Sequence, residues 1–429
     1  MIINQKIRLL LSQKDEYTLN SQSKMCNKLY NKLVNEFNIS KEKGVTKNYN
    51  SISILLKEMH KIKNKHAYFN CLHESTSKNI VFRLRRDYDY AIKKNYKKLK
   101  FKSFFKHWFT LFYDLESNGI SIKGKTVNIK IGFVLDKNNN KKRASITGKL
   151  GERINLINNT GRVLHYKITK KYGFYYLVVC IKYNQQYKFI PITGKKIAID
   201  PNHTNFFVGF DNTGKSIEFK NLFQLKYFDK NIDIVKSKRD KCKRESALKK
   251  YNSGKTYYQP SKRWLRLDNA LTKLFHKRYE QVKIVLYTIA NYLVNEYDEI
   301  AIGNYTPNSK FIKNKNMNHK MLYESVISKF RDILEYTCLK NNKKYILVNE
   351  AYTTQECHNC GYIKYINPDV RDITCPNCGK KYKRDINSAI NIGKKAKILS
   401  NSDYENIDLS VFSYTASYNL QKQTISYCH

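Results

Sequence analysis

Four of the ten cysteines form two CxxC pairs with the spacing C-x2-C-x14-C-x2-C, namely Cys357, Cys360, Cys375 and Cys378. Zn²⁺ binds four thiolates in a tetrahedron, and each CxxC turn presents two of them to one ion. Glycine follows both pairs, in CHNCG and CPNCG, and lets the backbone fold back under the metal. The pattern predicts one zinc ion, which is structural because four thiolates fill its coordination shell. Unmetallated thiols are the alternative, and His358, between two ligands, is expected to face solvent.

Two aspartates, one on each side of the cysteine motif, are candidates for binding a metal ion through their carboxylates. Asp200 ends the apolar run IAI, and open α/β sheets bind ligands at the C-terminal ends of their strands. Asp385 stands at the start of a predicted helix, RDINSAINI. Each residue also has a purely structural interpretation, because Asp200 precedes Pro201 in a turn and Asp385 can cap its helix.

The first half of the chain contains a strand, a helical insert and a β-rich module. Residues 2–11 read as a strand, and residues 12–105 carry apolar residues at helical spacing. From about residue 106 to 190, short β-branched and aromatic runs alternate with Gly and Asn turns. This pattern predicts a small β-barrel or curled sheet that includes the first strand. We expect a domain boundary near 190–195.

The second half alternates strands and helices. Strands follow residue 195, and a long basic helical stretch covers about 224–296 with a break near YNSGKTYYQPS. A strand (EIAIGNY), a helix (about 317–340), another strand (KKYILVNE), the cysteine motif and the helix RDINSAINIGKKAKIL complete the pattern. This order predicts an α/β sheet. The tail, residues 400–429, receives no assignment.

The charge of the chain points to a polyanionic partner. Lys and Arg number 80 against 35 Asp and Glu, which gives a net charge of +45. The resulting positive field favours nucleic acid. An anionic membrane is the other candidate, but no segment approaches the roughly 18–20 apolar residues of a membrane-spanning helix, and the first residues lack the apolar stretch of a signal peptide. We therefore expect an intracellular protein with no membrane partner.

Several sequence motifs of the chain resemble those of a known protein family. IAIDPNHTNF, the basic helical stretch, YDEIAIGNYTP, NEAYTTQECHNCG and CPNCGKKYKRDINSAINI resemble, in type and order, the motifs of TnpB, the RNA-guided nuclease of insertion sequences. They also resemble Fanzor, its relative in eukaryotes and large DNA viruses, and more distantly the miniature type V CRISPR nucleases. The resemblance is specific over about 195–395 and looser over 1–190.

The resemblance implies an α/β fold class, a RuvC nuclease domain with an RNase H-like sheet, joined to an N-terminal wedge domain. The implied domains are a wedge-like β-barrel (1–11 and 106–190), its helical recognition insert (12–105), the nuclease domain (195–350 and 380–399) and an inserted zinc ribbon (351–379).

One position departs from the family pattern. Most TnpB-like proteins carry a catalytic Glu where this chain has Gly303, and a two-metal site needs several carboxylates. Glu350 is the expected replacement, because the strand ending at Asp200, the strand IAIGNY and the strand YILVNE are predicted to be parallel neighbours with their ends in one crevice. Relocation of this kind resembles Fanzor most. Glu296 and Glu299 precede the strand and are poorer substitutes.

The resemblance implies an RNA-guided DNA endonuclease of a transposable element, with Asp200, Glu350 and Asp385 binding two Mg²⁺ ions. Its partners would be a transposon-derived guide RNA and double-stranded target DNA with a short flanking motif. The alternatives are a cleavage-dead guided repressor, which Gly303 favours, and a transposition accessory DNA-binding protein. The nucleus of a eukaryotic or virus-infected cell is the expected compartment ahead of a bacterial cytoplasm.

Overall fold

The chain divides after Gln185 into two compact units. The computed structural model describes residues 2–42, 51–94, 98–103, 108–135, 141–154, 161–183, 190–202, 204–222, 225–242, 247–250, 254, 256–305, 326–367 and 370–428. We describe each unit by itself.

The first unit is built on a seven-stranded sheet with the order β2-β6-β7-β1-β5-β4-β3. The N-terminal strand lies at its centre and pairs antiparallel with both β7 and β5. Ile3, Ile7 and Leu9 are buried at alternating or nearly alternating positions of that strand, as expected when one face covers a core. The strands are β1 (Ile2–Leu10), β2 (Leu111–Asp114), β3 (Ile120–Lys123), β4 (Thr126–Leu135), β5 (Lys141–Leu150), β6 (Gly161–Lys171) and β7 (Phe174–Tyr183).

The helices of the first unit lie in the chain between β1 and β2, where the sequence predicted a helical insert. They are α1 (Gln13–Glu42), α2 (Ile52–Lys65) and α3 (Glu74–Lys93). The apolar residues of α1 that recur at helical spacing, Leu29 and Leu33 among them, are buried. The roles of this unit as wedge and recognition domains stay predictions.

The second unit contains another seven-stranded sheet, with the order β14-β13-β8-β9-β10-β17-β18. Strand β13 pairs parallel with both β14 and β8, so the predicted order of these three strands is confirmed. The strands of this sheet are β8 (Lys196–Pro201), β9 (Phe207–Asp211), β10 (Ser216–Phe219), β13 (Glu299–Gly303), β14 (Lys344–Val348), β17 (Tyr414–Asn419) and β18 (Thr424–Cys428).

Helices cover both faces of this sheet. Ile197 and Ile199 of β8 belong to one core, together with Val285, Ile289 and Phe330 of the helices on that face. Ala198, between them, belongs to the opposite core with the last helix. Side chains of a strand alternate between faces, which is why one short apolar run serves two cores. The helices are α4 (Lys226–Lys241), α5 (Lys262–Glu296), α6 (Ile327–Lys340) and α7 (Arg384–Lys395).

Two short hairpins interrupt the α/β pattern. Strands β11 (Ala247–Lys250) and β12 (Thr256–Gln259) pair at the predicted break between α4 and α5. Strands β15 (Asp372–Thr374) and β16 (Lys381–Lys383) pair around the second CxxC turn. The predicted α/β class of the second half is confirmed by this arrangement.

The tail that received no assignment contributes to the sheet. Strand β17 pairs parallel with β10, with Tyr414 opposite Ile217, and β18 pairs antiparallel with β17. Its polar and aromatic sequence gave no clear strand signal, because pairing with β10 and packing against α5 decide its structure. The helix predicted at about 317–340 begins at Ile327 in the described residues, and residues 317–325 lie outside them.

Candidate carboxylate and cysteine sites

The register of three parallel strands brings the predicted acids to one edge of the second sheet. Ile302 of β13 lies opposite Ile199 of β8, and Gly303 lies opposite Val348 of β14. Asp200 comes directly after Ile199, and Glu350 follows two residues after Val348. Because the carboxyl ends of parallel strands share one edge, both side chains belong to the same end of the sheet.

Glu350 occupies the space beside Gly303. A Cβ atom built on Gly303 would lie 2.2 Å from Oε2 of Glu350, and 3.3 Å from both Cδ1 of Ile392 and the ring carbon Cδ of Pro201. This carboxylate oxygen is buried and has no hydrogen-bond partner among the described residues. The glutamate therefore fills the position that a side chain at residue 303 would take, as the relocation hypothesis requires.

Asp385 reaches the same site from α7. It lies in the first turn of that helix and is buried. Nη1 of Arg371 donates to both of its carboxylate oxygens, at 3.1 and 2.9 Å, and Arg384 donates to Oδ1 from Nε at 3.2 Å and Nη2 at 3.1 Å. Arg371 also bonds Thr204 Oγ1 at 2.8 Å. Asp385 is thus the one of the three candidate acids held by two arginines.

The three acids influence one another electrostatically. Burial, then the negative charges of Asp385 and Glu350, raises the pKa of Asp200 well above its ordinary value, although Ser388 and Arg384 partly oppose this. Burial raises the pKa of Glu350 to about 7 against the backbone amide of Tyr305 and the charge of Arg331. Buried carboxylates of this kind are stabilised by a bound cation. The unpaired Oε2 of Glu350 and the crowding of negative charge fit a divalent metal ion.

Glu296 and Glu299, the poorer substitutes for a glutamate at position 303, lie away from the candidate carboxylate site. Glu299 stands at the start of β13 and forms ion pairs with Lys196 at 3.1 Å and Lys344 at 2.7 Å. Glu296 ends α5, before that strand. Neither residue belongs to the edge that carries Asp200, in agreement with the prediction.

The four cysteines converge on one point. Their Sγ atoms all lie within 4.8 Å of one another, with Cys357 and Cys378 at 3.8 Å and Cys360 and Cys375 at 3.7 Å. A tetrahedral ion with Zn–S bonds of ~2.3 Å separates its ligands by ~3.8 Å. The cluster therefore fits a single metal ion of the size of zinc.

Glycine shapes both cysteine turns. Gly361 and Gly379 have φ values of 73° and 71°, a region that other residues avoid. Their amides donate to the carbonyl oxygens of Cys357 and Cys375, each at 2.9 Å. The predicted role of these glycines in folding the backbone under the thiols agrees with this geometry.

His358 is a correction to the sequence prediction, because it is fully buried and does not face solvent. Its ring lies between Tyr382 and Tyr404, with centroid distances of 5.2 and 5.3 Å. Its backbone amide donates to Oδ1 of Asn387 at 2.8 Å, and Nδ1 lies 3.0 Å from the same oxygen. Burial lowers the pKa of His358 to about 4. The cause is the packing of the first CxxC turn on α7, a contact between segments that spacing does not reveal.

Other residues around the acids were not identified from the sequence. Arg371, Thr353, Asn387, Ser388 and Asn391 all contact the candidate site or the segment that carries Glu350. The sequence feature that could have identified some of them lies in α7, where Asn387, Ser388 and Asn391 interrupt an otherwise apolar face. Polar residues at buried helical positions require hydrogen-bond partners, so their partners could have been sought in advance.

Comparison with known proteins gives matches of three kinds. A family model described as the Cas12f1-like TNB domain matches residues 328–392. The chain is 30% identical over 138 residues to "TnpB-like protein L79" and to "TnpB-like protein R854", both from Acanthamoeba polyphaga mimivirus. Each alignment covers 31% of this chain and 26% of the relative, so the match spans about a quarter of the length of these curated relatives.

The fold is also similar to a solved structure. The cryo-EM structure of a Cas12f1–sgRNA–target DNA complex contains a chain that matches with a TM-score of 0.59 and 15% sequence identity, over 89% of this chain and 83% of that one. This likeness confirms the expected α/β fold class, and the cysteine cluster has the arrangement expected of a zinc ribbon. Among the described helices, none is both long and apolar enough to cross a membrane. Taken together, part of the chain is similar to a Cas12f1-like domain model and to TnpB-like proteins of a giant virus, and its fold is similar to that of a Cas12f1 chain.

Proposed function

We propose that this protein is an RNA-guided DNA endonuclease in which Asp200, Glu350 and Asp385 bind two Mg²⁺ ions. The observation that carries the proposal is the convergence of these three acids, with Glu350 filling the space beside Gly303. Mg²⁺ ions bound there would activate water and stabilise the leaving oxygen of a phosphodiester. The four cysteines would hold one structural Zn²⁺.

The protein's own residues would prepare this site. Burial raises the pKa of Asp200 and of Glu350, so a bound cation would favour the ionised form of both carboxyl groups. Ser388 donates a hydrogen bond to Asp200 and orients its carboxylate. Arg371 and Arg384 fix Asp385 at the start of α7.

The proposed partners are a transposon-derived guide RNA and a double-stranded DNA target with a short flanking motif. A net charge of +45 supports a polyanionic partner. The Cas12f1 chain of similar fold was solved with an sgRNA and a target DNA. Because the matched relatives come from a giant virus, we propose action inside a virus-infected eukaryotic cell, in its nucleus.

A second candidate function is a guided DNA-binding protein that does not cleave. Gly303 favours it, because the family's usual glutamate is missing there. The position of Glu350 favours cleavage instead, since it restores a third carboxylate beside the vacant Cβ position. The two functions differ in one measurable property, which is the cutting of a guided target.

The test begins with purification of the full chain and sequencing of the RNA that copurifies with it. DNA complementary to the 3′ portion of that RNA is then offered in the presence of Mg²⁺. We expect cleavage, and we expect Asp200→Ala, Asp385→Ala and Glu350→Gln each to reduce it by more than about a hundredfold, since loss of residues that only support metal ligands already costs 10–100-fold.

Glu299→Gln is the matched control, because it removes the same charge at the opposite end of the sheet and is expected to cleave normally. Binding of the target without cutting by the wild-type protein would establish the second candidate. Normal cleavage by Glu350→Gln would refute the assignment of Glu350.

A further inference from the structure

Most of the hydrogen bonds that hold the segment carrying Glu350 come from α7, beyond the last residue pair of the sheet. Pairing between β13 and β14 ends at Gly303 and Val348, two residues before Glu350. Beyond that point, the bond from the Glu350 amide to Asn304 Oδ1 is 3.4 Å long. Residues 351–355 form successive turns, and we call residues 349–358 the Glu350 turn segment.

Two asparagines of α7 hold this segment through the same pair of acceptors. Nδ2 of Asn387 donates to the carbonyl oxygens of Thr353 at 3.2 Å and Glu356 at 2.8 Å. Nδ2 of Asn391 donates to the same two oxygens, at 3.0 and 2.7 Å. Both asparagines are buried. Four hydrogen bonds from buried amide groups therefore fix the segment to one face of the helix.

Lysines at the end of α7 extend the contact. Nζ of Lys395 donates to the carbonyl oxygen of Ala351 at 2.6 Å, next to Glu350. Nζ of Lys394 donates to the carbonyl oxygen of His358 at 2.9 Å. The two ends of the segment are thus bound to the same helix that carries Asp385.

The hydroxyl groups of Thr353 and Ser388 link the Glu350 turn segment to the candidate acids. The amide and Oγ1 of Thr353 both donate to the carbonyl oxygen of Glu350, at 3.2 and 2.8 Å. Thr353 Oγ1 also lies 3.1 Å from Oγ of Ser388, which bonds to Asp200. A shift of Thr353 would therefore change the position of Glu350 relative to Asp200.

We propose that Asn387 and Asn391 are positioning residues that set the place of Glu350 for divalent-cation binding. This inference rests on the proposed function of the carboxylate site. The two residues have separable roles. Asn387 also accepts from the amide of His358, which lies within the first CxxC turn, whereas Asn391 donates to the carbonyl oxygens of Thr353 and Glu356, which precede that turn. Asn391 therefore tests the positioning of Glu350 without altering a contact of the cysteine turns.

The test uses Asn391→Asp in the full-length complex, because the carboxylate keeps the shape of the side chain and loses both donors. We expect hydrogen exchange in residues 350–356 to accelerate by about tenfold, with exchange in β8 and at Gly361 and Gly379 unchanged. We also expect the Mg²⁺ concentration for half-maximal cleavage to rise by about tenfold, with the rate at saturating Mg²⁺ close to that of the wild type. Bound zinc should stay at one per chain.

Asn406→Asp, at an exposed turn, makes the same chemical change as a control and should match the wild type. Lys395→Gln provides a milder second variant on the exposed side, with an expected two- to threefold rise in the half-maximal Mg²⁺ concentration, should Asn391→Asp fail to fold. Merely structural damage would lower the rate at all Mg²⁺ concentrations and would not be corrected by added Mg²⁺.

Unchanged exchange in residues 350–356, or faster exchange with an unchanged Mg²⁺ requirement, would overturn this inference while leaving the proposed function intact. A wild-type protein that binds its target and does not cut it would contradict the proposed function. The exchange measurement would still decide, in that case, whether the two amides fix the Glu350 turn segment.

Discussion

The cysteine cluster and the carboxylate cluster belong to the same unit, yet they are assembled in different ways. The cysteines come from two turns within one short segment, and glycines of the same segment shape those turns. The carboxylates come from β8, from the turns after β14 and from α7. A short segment loses little entropy when its ends meet, whereas the acids meet only when the sheet and α7 are complete.

The two clusters also differ in how their surroundings affect ionisation. Hydrogen bonds from Asn377 and from the Tyr362 amide lower the pKa of Cys360 to about 6. These donors lie in the cysteine segment itself. Burial by the folded sheet raises the pKa of Glu350 to about 7 and that of Asp200 above its ordinary range. Burial raises the pKa of Cys357 to about 12, so the thiols of the cysteine cluster shift in opposite directions, whereas burial raises the pKa of both Asp200 and Glu350.

Among the variants considered, we expect the largest loss of metal binding from substitution of a cysteine in the cysteine cluster. Cys357→Ser removes one of four thiolates, and structural zinc contributes about 10–16 kcal/mol of binding free energy in small zinc domains. Zinc content, measured by elemental analysis, should fall below about a tenth of an ion per chain. Cleavage should fall as well, because the first CxxC turn packs on α7 through His358.

Cys242→Ser is the control, since Cys242 is buried at the end of α4 and donates to Lys238, a bond that a hydroxyl preserves. It should retain full zinc content. Full zinc content in Cys357→Ser would show that the cluster does not bind the metal as a four-thiolate site.

A smaller effect is expected at the carboxylate cluster from Gly303→Ala. The added Cβ would lie 2.2 Å from Oε2 of Glu350, so the glutamate must move. We expect the Mg²⁺ concentration for half-maximal cleavage to rise by roughly tenfold, with little change in the free energy of unfolding, because the atom that must move is the end of a flexible side chain. Cleavage rates across a Mg²⁺ titration measure the first effect and urea unfolding the second.

A double variant shows whether an alanine at position 303 affects cleavage through its contact with Glu350 or through a wider change in the fold. Gly303→Ala combined with Glu350→Ala should cleave no worse than Glu350→Ala alone, because the alanine at 303 acts through the glutamate. If the cleavage losses of the two single variants add in the double variant, Gly303 affects cleavage by a route other than its contact with Glu350.

The smallest effect is a pH dependence of stability without added Mg²⁺. The pKa of Glu350 is raised in the folded protein from 4.5 to about 7, so its contribution is fully present below pH 4.5 and is lost as pH rises through about 7. The raised pKa of Asp200 acts in the same direction. We expect Tm to fall by roughly 2–4 °C over this range, measured by calorimetry on zinc-loaded protein.

Two comparisons test whether the fall of Tm with rising pH comes from Glu350 and Asp200. Added Mg²⁺ should recover the lost stability at high pH, and Glu350→Gln should reduce the pH dependence. A Tm that rises between pH 5 and 7, or that ignores Mg²⁺, would contradict the assignment of a cation site to these acids.

Much of the second unit could be predicted, because its signals are local. The apolar runs of β8, β13 and β14 predicted strands, and the resemblance to a family with an RNase H-like sheet implied that they are parallel neighbours, which their register confirms. The burial of His358 and the strands β17 and β18 could not be predicted in the same way. His358 is buried by α7, and β17 is defined by pairing with β10, so both depend on partners distant in the chain.

The sequence by itself determined the four-thiolate motif, its glycine turns and the apolar runs that form β8, β13 and β14. Spacing is sufficient for these features because bond geometry and apolar periodicity operate over a few residues. The tertiary structure alone decided that Glu350 lies against Gly303, that Arg371 pairs with Asp385, and that Asn387 and Asn391 bind the Glu350 turn segment. These contacts exist only after the sheet and α7 have packed, because strand pairing stops before Glu350 and the partners that fix it lie on another element.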